Sequence, residues 1–165
     1  MIHNLGRGSL LAKCDVKSAF RLLRLAPSEY DLMGFKIRGQ YYFDKCLPMG
    51  VSVSCALFES FSTALHWYVQ RISENDNILH YLDDFLIGGD ADFNSCEDTL
   101  HTFKQTCKAW RVSLADDKTV LPTKVITFLG VEFDTEYMVM RLPSKKLTEL
   151  INLVTTCLQK EKQSF

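Results

Sequence analysis

Ile78-Leu79-His80-Tyr81-Leu82-Asp83-Asp84-Phe85-Leu86-Ile87-Gly88-Gly89 is the stretch that decides the fold. Two apolar arms flank an adjacent pair of acids, and a Gly-Gly closes the run. The pattern predicts a tight β-hairpin with both carboxylates at the bend. Such a placement is costly, because neighbouring like charges repel and apolar walls deny them water. A bound divalent cation would remove both penalties, and magnesium prefers hard oxygen ligands. The competing reading is a solvated Asp-Asp turn, since Asp is a good turn residue. The frame Tyr81-Leu82-Asp83-Asp84-Phe85-Leu86-Ile87 weighs against it, because ordinary turns sit in polar, Gly-containing sequence.

Upstream, Leu10 to Cys14 is a short apolar run that reads as a strand and ends in a third acid, Asp15. Asp15 is either the N-cap of a segment starting near Val16 or a neighbour of the acidic hairpin. Lys17 to Leu25 reads as a short helix stopped by Pro27. Gly34 to Phe43 reads as a hairpin around a Gly turn. Pro48 and Gly50 punctuate the chain, and Ser52 to Arg71 then runs free of Gly and Pro. There Ala56, Leu57, Phe61, Ala64, Leu65 and Tyr68 recur at helical spacing, which predicts a long helix.

Downstream, Asp92 to Trp110 reads as a helix with Leu100, Phe103, Cys107 and Trp110 on one side. Val125 to Phe133 reads as a strand, Tyr137 to Leu142 as its partner, and Pro143 opens a last helix from Ser144 to Lys160. Strands and helices mix without regular βαβ alternation. The order favours an α+β fold: an antiparallel sheet with helices packed on one face, around a split-βαβ, ferredoxin-like core.

Composition narrows the function. The 165 residues are 47% hydrophobic and 24% charged, as expected of one folded domain over 1–165. A net charge of −1 argues against a protein that coats nucleic acid by charge alone. The six cysteines form no C-x-x-C pair, so a zinc ribbon is disfavoured and buried, reduced thiols are expected. No apolar run approaches a membrane span, and the first residues carry no signal-like apolar core, so an intracellular protein (cytoplasm or nucleus) is expected. His3, His66, His80 and His101 show no metal spacing, and His80 reads as a strand residue. Asp116-Asp117 lies in polar sequence and reads as a pair of loop acids.

Four motifs in fixed order resemble the palm of a reverse transcriptase. Asp15-Val16-Lys17-Ser18-Ala19-Phe20 resembles the first catalytic-aspartate motif, D-x-x-x-A-F/Y. Leu47-Pro48-Met49-Gly50-Val51-Ser52 is similar to the L-P-x-G turn before the template-facing helix. Tyr81-Leu82-Asp83-Asp84 matches the Y-x-D-D box, and Phe128-Leu129-Gly130 the F-L-G primer grip. The resemblance covers about residues 10–150. Lys45-Cys46-Leu47-Pro48-Met49-Gly50 and Phe58-Glu59-Ser60-Phe61-Ser62-Thr63-Ala64-Leu65 most resemble retrotransposons of the DIRS-like, tyrosine-recombinase group.

The resemblance implies an RNA-directed DNA polymerase, a nucleotidyltransferase working on an RNA template, a DNA primer and deoxynucleotides. Asp15, Asp83 and Asp84 would bind two Mg2+ ions, with Mn2+ as a substitute, and so brace the attacking and leaving oxygens. Lys118 would sit near the triphosphate, to protonate the departing pyrophosphate or balance its charge; a solvated loop lysine is the alternative. Phe20 would be a steric gate against the ribose 2′-hydroxyl, with a plain core aromatic as the alternative. Met49 and Gly50 would line the nucleotide site, although Met49 stands where several members carry Gln, and Cys55 where many carry Pro. Tyr81, Phe128, Leu129 and Gly130 would face primer and template. Lys145 and Lys146, opening the last helix, are either solvated or in reach of a phosphate backbone.

The resemblance also implies a loss. Only 14 residues precede Asp15, so the fingers are expected to be missing, with 143–165 as the start of a thumb and no room for ribonuclease H. Two functions follow: a truncated retroelement polymerase, or a catalytically inactive remnant acting at most as a binding module. A nucleotidyl cyclase shares a similar palm but leaves L-P-x-G and F-L-G unexplained.

Overall fold

The computed structural model describes residues 1–91 and 94–161, the last two of these by backbone alone. Its centre is β1 (Leu10–Asp15), with burial at Leu11, Ala12, Cys14 and Asp15. Such a run, apolar on both sides, suits a strand covered on both faces. β4 (Ile78–Tyr81) and β5 (Asp84–Gly89) form the acidic hairpin. With β6 (Val120–Thr123) they make a four-stranded sheet in the order β4-β5-β1-β6. Every neighbouring pair is antiparallel.

Strand alternation sends Ala12, Cys14, Phe85 and Ile87 to one face. There they meet α2 (Ser54–Ser73) through Phe58, Leu65 and Val69, and α3 (Ser95–Ala109) through Cys96, Leu100, Phe103 and Cys107. The helices therefore share one face, as the element order predicts. The other face is not bare. Leu11 and Leu86 pack on Ile126 and Phe128 from a second sheet, joined by the short helix α1 (Ile2–Leu5).

That second sheet corrects the C-terminal reading. The run Val125 to Phe133 is two strands, β7 (Val125–Phe128) and β8 (Val131–Asp134), folded back at Leu129-Gly130; β9 (Val139–Arg141) completes the order β7-β8-β9. Both turn residues have positive φ, 47° and 81°, which is the type I′ geometry that reverses a chain in two residues. β6 itself is an edge strand that contains Pro122, and Pro is tolerated only at such edges.

Other expectations shift in detail. Lys17 to Leu25 is not an α-helix; a single 3-10 turn spans Ala19–Leu22, after which Leu23 is extended. The hairpin of β2 (Gly34–Ile37) and β3 (Gln40–Phe43) forms as expected, with every residue of both strands exposed. The long helix forms, but its buried stripe is Ser54, Phe58, Ser62, Leu65 and Val69, while Ala56, Leu57, Ala64 and Tyr68 are exposed. Trp110 caps α3 and stays partly exposed; the predicted start at Asp92 lies outside the described residues. α4 (Ser144–Glu161) forms the last element, and residues 162–165 of the expected thumb also lie outside. No described helix is long and apolar enough to cross a membrane. All six thiols are free, but Cys55 and Cys157 are exposed rather than buried.

Candidate active site

The register of the central sheet brings the acids together. Asp15, the last residue of β1, stands opposite Asp84, the first of β5. The chain just beyond holds the hairpin bend, because Val16 N–H donates to the Asp83 carbonyl at 2.9 Å. Asp15 is thus a neighbour of the acidic hairpin and not a helix cap; the following 3-10 turn takes Ser18 at its N-cap.

Lys118 arrives from far along the chain. Lys17 N–H donates to Ser113 O at 2.8 Å and Ala115 N–H to Asp15 O at 2.9 Å, which pins the 113–115 segment to the end of β1. A tight turn follows, with Lys118 and Thr119 N–H both donating to Ala115 O at 3.1 Å. The turn delivers the Lys118 ammonium to Asp15 Oδ2 at 2.9 Å. The Asp15 bond, with that residue's charge, raises the Lys118 pKa, so the lysine is firmly protonated. Asp116 and Asp117 point into solvent, as expected of loop acids.

Asp84 feels the opposite field. Desolvation first, then the charges of Asp83 and Asp15, raise its pKa, against the pull of Lys13 and Lys118. The three acids share one end of the sheet, yet among the described residues no three His, Cys, Asp or Glu side chains close into a ligand set for one ion. Like charges repel, and Lys118 already takes one Asp15 oxygen. The donor set still suits a hard divalent cation: carboxylate oxygens gathered at one end of the sheet.

A cleft of about 600 Å³ opens over this end. Asp15, Asp83, Lys118, Phe20 and Met49 line it. Phe20 is half-buried and leans on Phe58 at 5.2 Å between ring centres, so it is core on one side and cleft wall on the other. Met49 is 82% exposed. Gly50 has φ 91°, a left-handed turn that favours glycine, and lies outside the lining. Ser54 Oγ donates to Pro48 O at 2.7 Å and ties this loop to the start of α2.

Tyr81, opposite Asp84 at the end of β4, is 60% exposed. In the F-L-G turn, Phe128 is buried in the second cluster while Leu129 is exposed. Lys146 lies directly over Gly130.

The sequence reading gives Glu59 no role, yet it reaches the bend. Leu82 has φ 53°, a left-handed conformation rare outside glycine and Asn/Asp. Its N–H donates to Glu59 Oε2 at 3.3 Å. Glu59 Oε1 lies 3.0 Å from His80 Nε2, within ion-pair range but without hydrogen-bond geometry. His80 Nδ1 is 2.7 Å from His66 Nδ1, so one of the two rings donates to the other. Burial, with His80 beside it, lowers the His66 pKa. The spacing 59, 62, 66 on one helical stripe was the available signal.

An antiparallel sheet with helices on one face, an acid at the end of its central strand and an acid pair on the adjoining hairpin define a polymerase-like palm. Residues 1–133 match the family described as reverse transcriptase (RNA-dependent DNA polymerase). The chain belongs to that family. It is 29% identical over 133 residues to the genome polyprotein of Petunia vein clearing virus (isolate Shepherd), covering 81% of this chain and 6% of the polyprotein. It is 29% identical over 144 residues to protein P of duck hepatitis B virus (isolate white Shanghai duck S31), covering 85% of this chain and 17% of that protein. The chain therefore spans a small part of the relatives it matches. The foamy viral protease-reverse transcriptase in complex with RNA/DNA hybrid superposes with a TM-score of 0.77 at 18% identity, over 87% of this chain and 18% of that one. At that identity the likeness concerns the fold, which is the expected palm.

Proposed function

We propose that this chain is the catalytic palm of an RNA-directed DNA polymerase, extending a DNA primer on an RNA template with deoxynucleotides. One observation carries the reading: Asp15 and Asp84 stand opposite each other, beside Asp83, with the Lys118 ammonium on Asp15 at the cleft that Phe20 walls. Asp15, Asp83 and Asp84 would hold two Mg2+ ions, with Mn2+ as a substitute. When bound, such ions lower the cost of charge on attacking and leaving oxygens. Lys118 holds a proton at Nζ where a pyrophosphate would depart. Phe20 crowds the position of a ribose 2′-hydroxyl and so selects deoxynucleotides, while Pro48 and Met49 wall the same cleft. Leu129 presents an exposed side chain to the primer from the turn it shares with Gly130, and Tyr81 an exposed ring to its end.

Catalysis of this type is mostly positioning and electrostatics. The fingers, thumb and ribonuclease H regions would come from a longer polyprotein, consistent with the small share of each relative that the chain spans. The DIRS-like affiliation rests on the wording around Met49 and Glu59, and intracellular placement on the free thiols.

The test is primer extension on an RNA template with Mg2+, comparing the chain with Asp83→Asn. Extension that falls at least about 100-fold in the variant is expected, the scale of losing a preorganised electrostatic group. Equal extension by both proteins would overturn the reading. A folded chain that binds template-primer without extending it would instead fit a binding remnant. The exposed apolar residues Phe35, Ile37, Tyr41 and Tyr42 of the β2–β3 hairpin favour that second reading for the chain alone.

A further inference from the structure

Lys13 has no part in the chemistry described so far. It lies two residues before Asp15 on β1, hence on the same face of the sheet. Next to it that face is apolar, with Leu11 and Leu86 packed on Ile126 and Phe128. Lys13 stands opposite Leu86 on one side and Val120 on the other, so its strand is paired along both edges. A half-buried ammonium there gives up hydration and needs a hydrogen-bond partner. It finds one in Thr127 O, 2.9 Å from Nζ.

That carbonyl belongs to the residue just before Phe128-Leu129-Gly130, on β7, the edge strand of its sheet. Apart from the local contacts of Thr123 with Val125, this is the one side-chain hydrogen bond that joins a strand of the four-stranded sheet to a strand of the three-stranded sheet among the described residues. Lys13 is also diagonal to Asp84 across the β1–β5 pair. One cation therefore touches the turn-bearing hairpin from a strand that ends in the acidic site.

We propose that Lys13 is a positioning residue, which sets the distance between the Phe128-Leu129-Gly130 turn and the Asp15–Asp84 carboxylates. The proposal rests on the polymerase reading, in which the primer end lies between those two places. A charge-assisted bond to a carbonyl is short and directional, so it fixes the hairpin better than the apolar contact alone, which tolerates sliding. On the nucleotide side of the cleft, Lys118 bonds to Asp15 and, among the described residues, no side-chain hydrogen bond links Phe20, Met49 or Lys118 to Thr127. Loss of Lys13 therefore misplaces the primer end and leaves deoxynucleotide binding intact.

The experiment compares the chain with Lys13→Met, Lys13→Arg and Asp83→Asn, by steady-state extension and by amide hydrogen exchange. Lys13→Met is expected to lower kcat about tenfold, since a shift of a fraction of an ångström at reacting atoms costs rate on that scale. KM for deoxynucleotide stays unchanged, and Lys13→Arg restores most of the rate. Amides of Phe128 to Val131 exchange faster in Lys13→Met, while those of α3 do not. An unchanged kcat, a matching rise in deoxynucleotide KM, or unaltered exchange at the hairpin would overturn the proposal. Should the unmodified chain fail to extend, or Asp83→Asn extend equally well, the polymerase reading itself falls. Hydrogen exchange then still decides whether Lys13 holds the hairpin, and unaltered protection in Lys13→Met sinks that claim independently.

Discussion

Asp84 shows what a catalytic residue costs the fold. Burial and two neighbouring acids raise its pKa, so the folded chain binds a proton there more readily than the unfolded one. The associated stability is full below the ordinary carboxylate range and is lost as pH rises through the folded pKa. At neutral pH the ionised acid therefore works against folding. Asp84→Asn is expected to raise the urea midpoint at pH 7, corresponding to less than about 1 kcal/mol of unfolding free energy once solvent screening is allowed for, while extension disappears. A lowered midpoint would mean that Lys13 and Lys118 outweigh the repulsion. At this scale the sequence was informative about charge and silent about partners. An acid pair between apolar arms announces its own expense, and Asp15 at a strand end was already one of two open readings. Lys13 gives no such sign, because a lysine in a strand is ordinary until tertiary contacts show what it touches, and Glu59 shows only its helical spacing to His66.

Elements were legible where local pattern and tertiary demand agree. The acidic hairpin, the Gly34 to Phe43 hairpin and the Gly- and Pro-free helix all form. Apolar periodicity places the helix stripe one notch round from its true position, because Ser54 and Ser62 are buried while Ala56 and Leu57 are not, and periodicity does not see a buried hydroxyl. The run Val125 to Phe133 reads as one strand because β-branched and aromatic residues stand on both sides of Leu129-Gly130. The break is made by conformation, with Leu129 and Gly130 both at positive φ. A Cβ at Gly130 would meet the tip of Lys146, a flexible end that can move aside, so the cost of filling it is mainly backbone strain. Gly130→Ala is expected to lower unfolding free energy by about 1–2 kcal/mol. Gly130→Asn should lose less, since Asn tolerates the left-handed region. Equal losses would point to steric exclusion by Lys146 instead.

The whole molecule is arranged about one strand. β1 is covered by α2 and α3 on one face and by the second sheet on the other, so acids at its end are held from both sides. The second layer could not be read from the chain, because β7 and β8 meet Leu11 and Leu86 only through contacts distant in sequence. The same layering divides the thiols. Cys14, Cys96 and Cys107 lie in the main core, where burial pushes their pKa values up to about 11, about 12 and about 12. Cys55 and Cys157 are exposed and Cys46 is half-buried. Thiol labelling at pH 8 should therefore modify Cys55 and Cys157 quickly and Cys46 more slowly, with the three core thiols reacting only as the chain unfolds. Because folding raises those three pKa values, their contribution to stability is full below the ordinary thiol value of 9.0 and is lost as pH climbs through about 11 to 12. Core labelling should accelerate over that alkaline window together with loss of helical circular dichroism. Rapid modification of Cys107 at pH 8, with the helical signal intact, would show that α3 does not seal the core against β1.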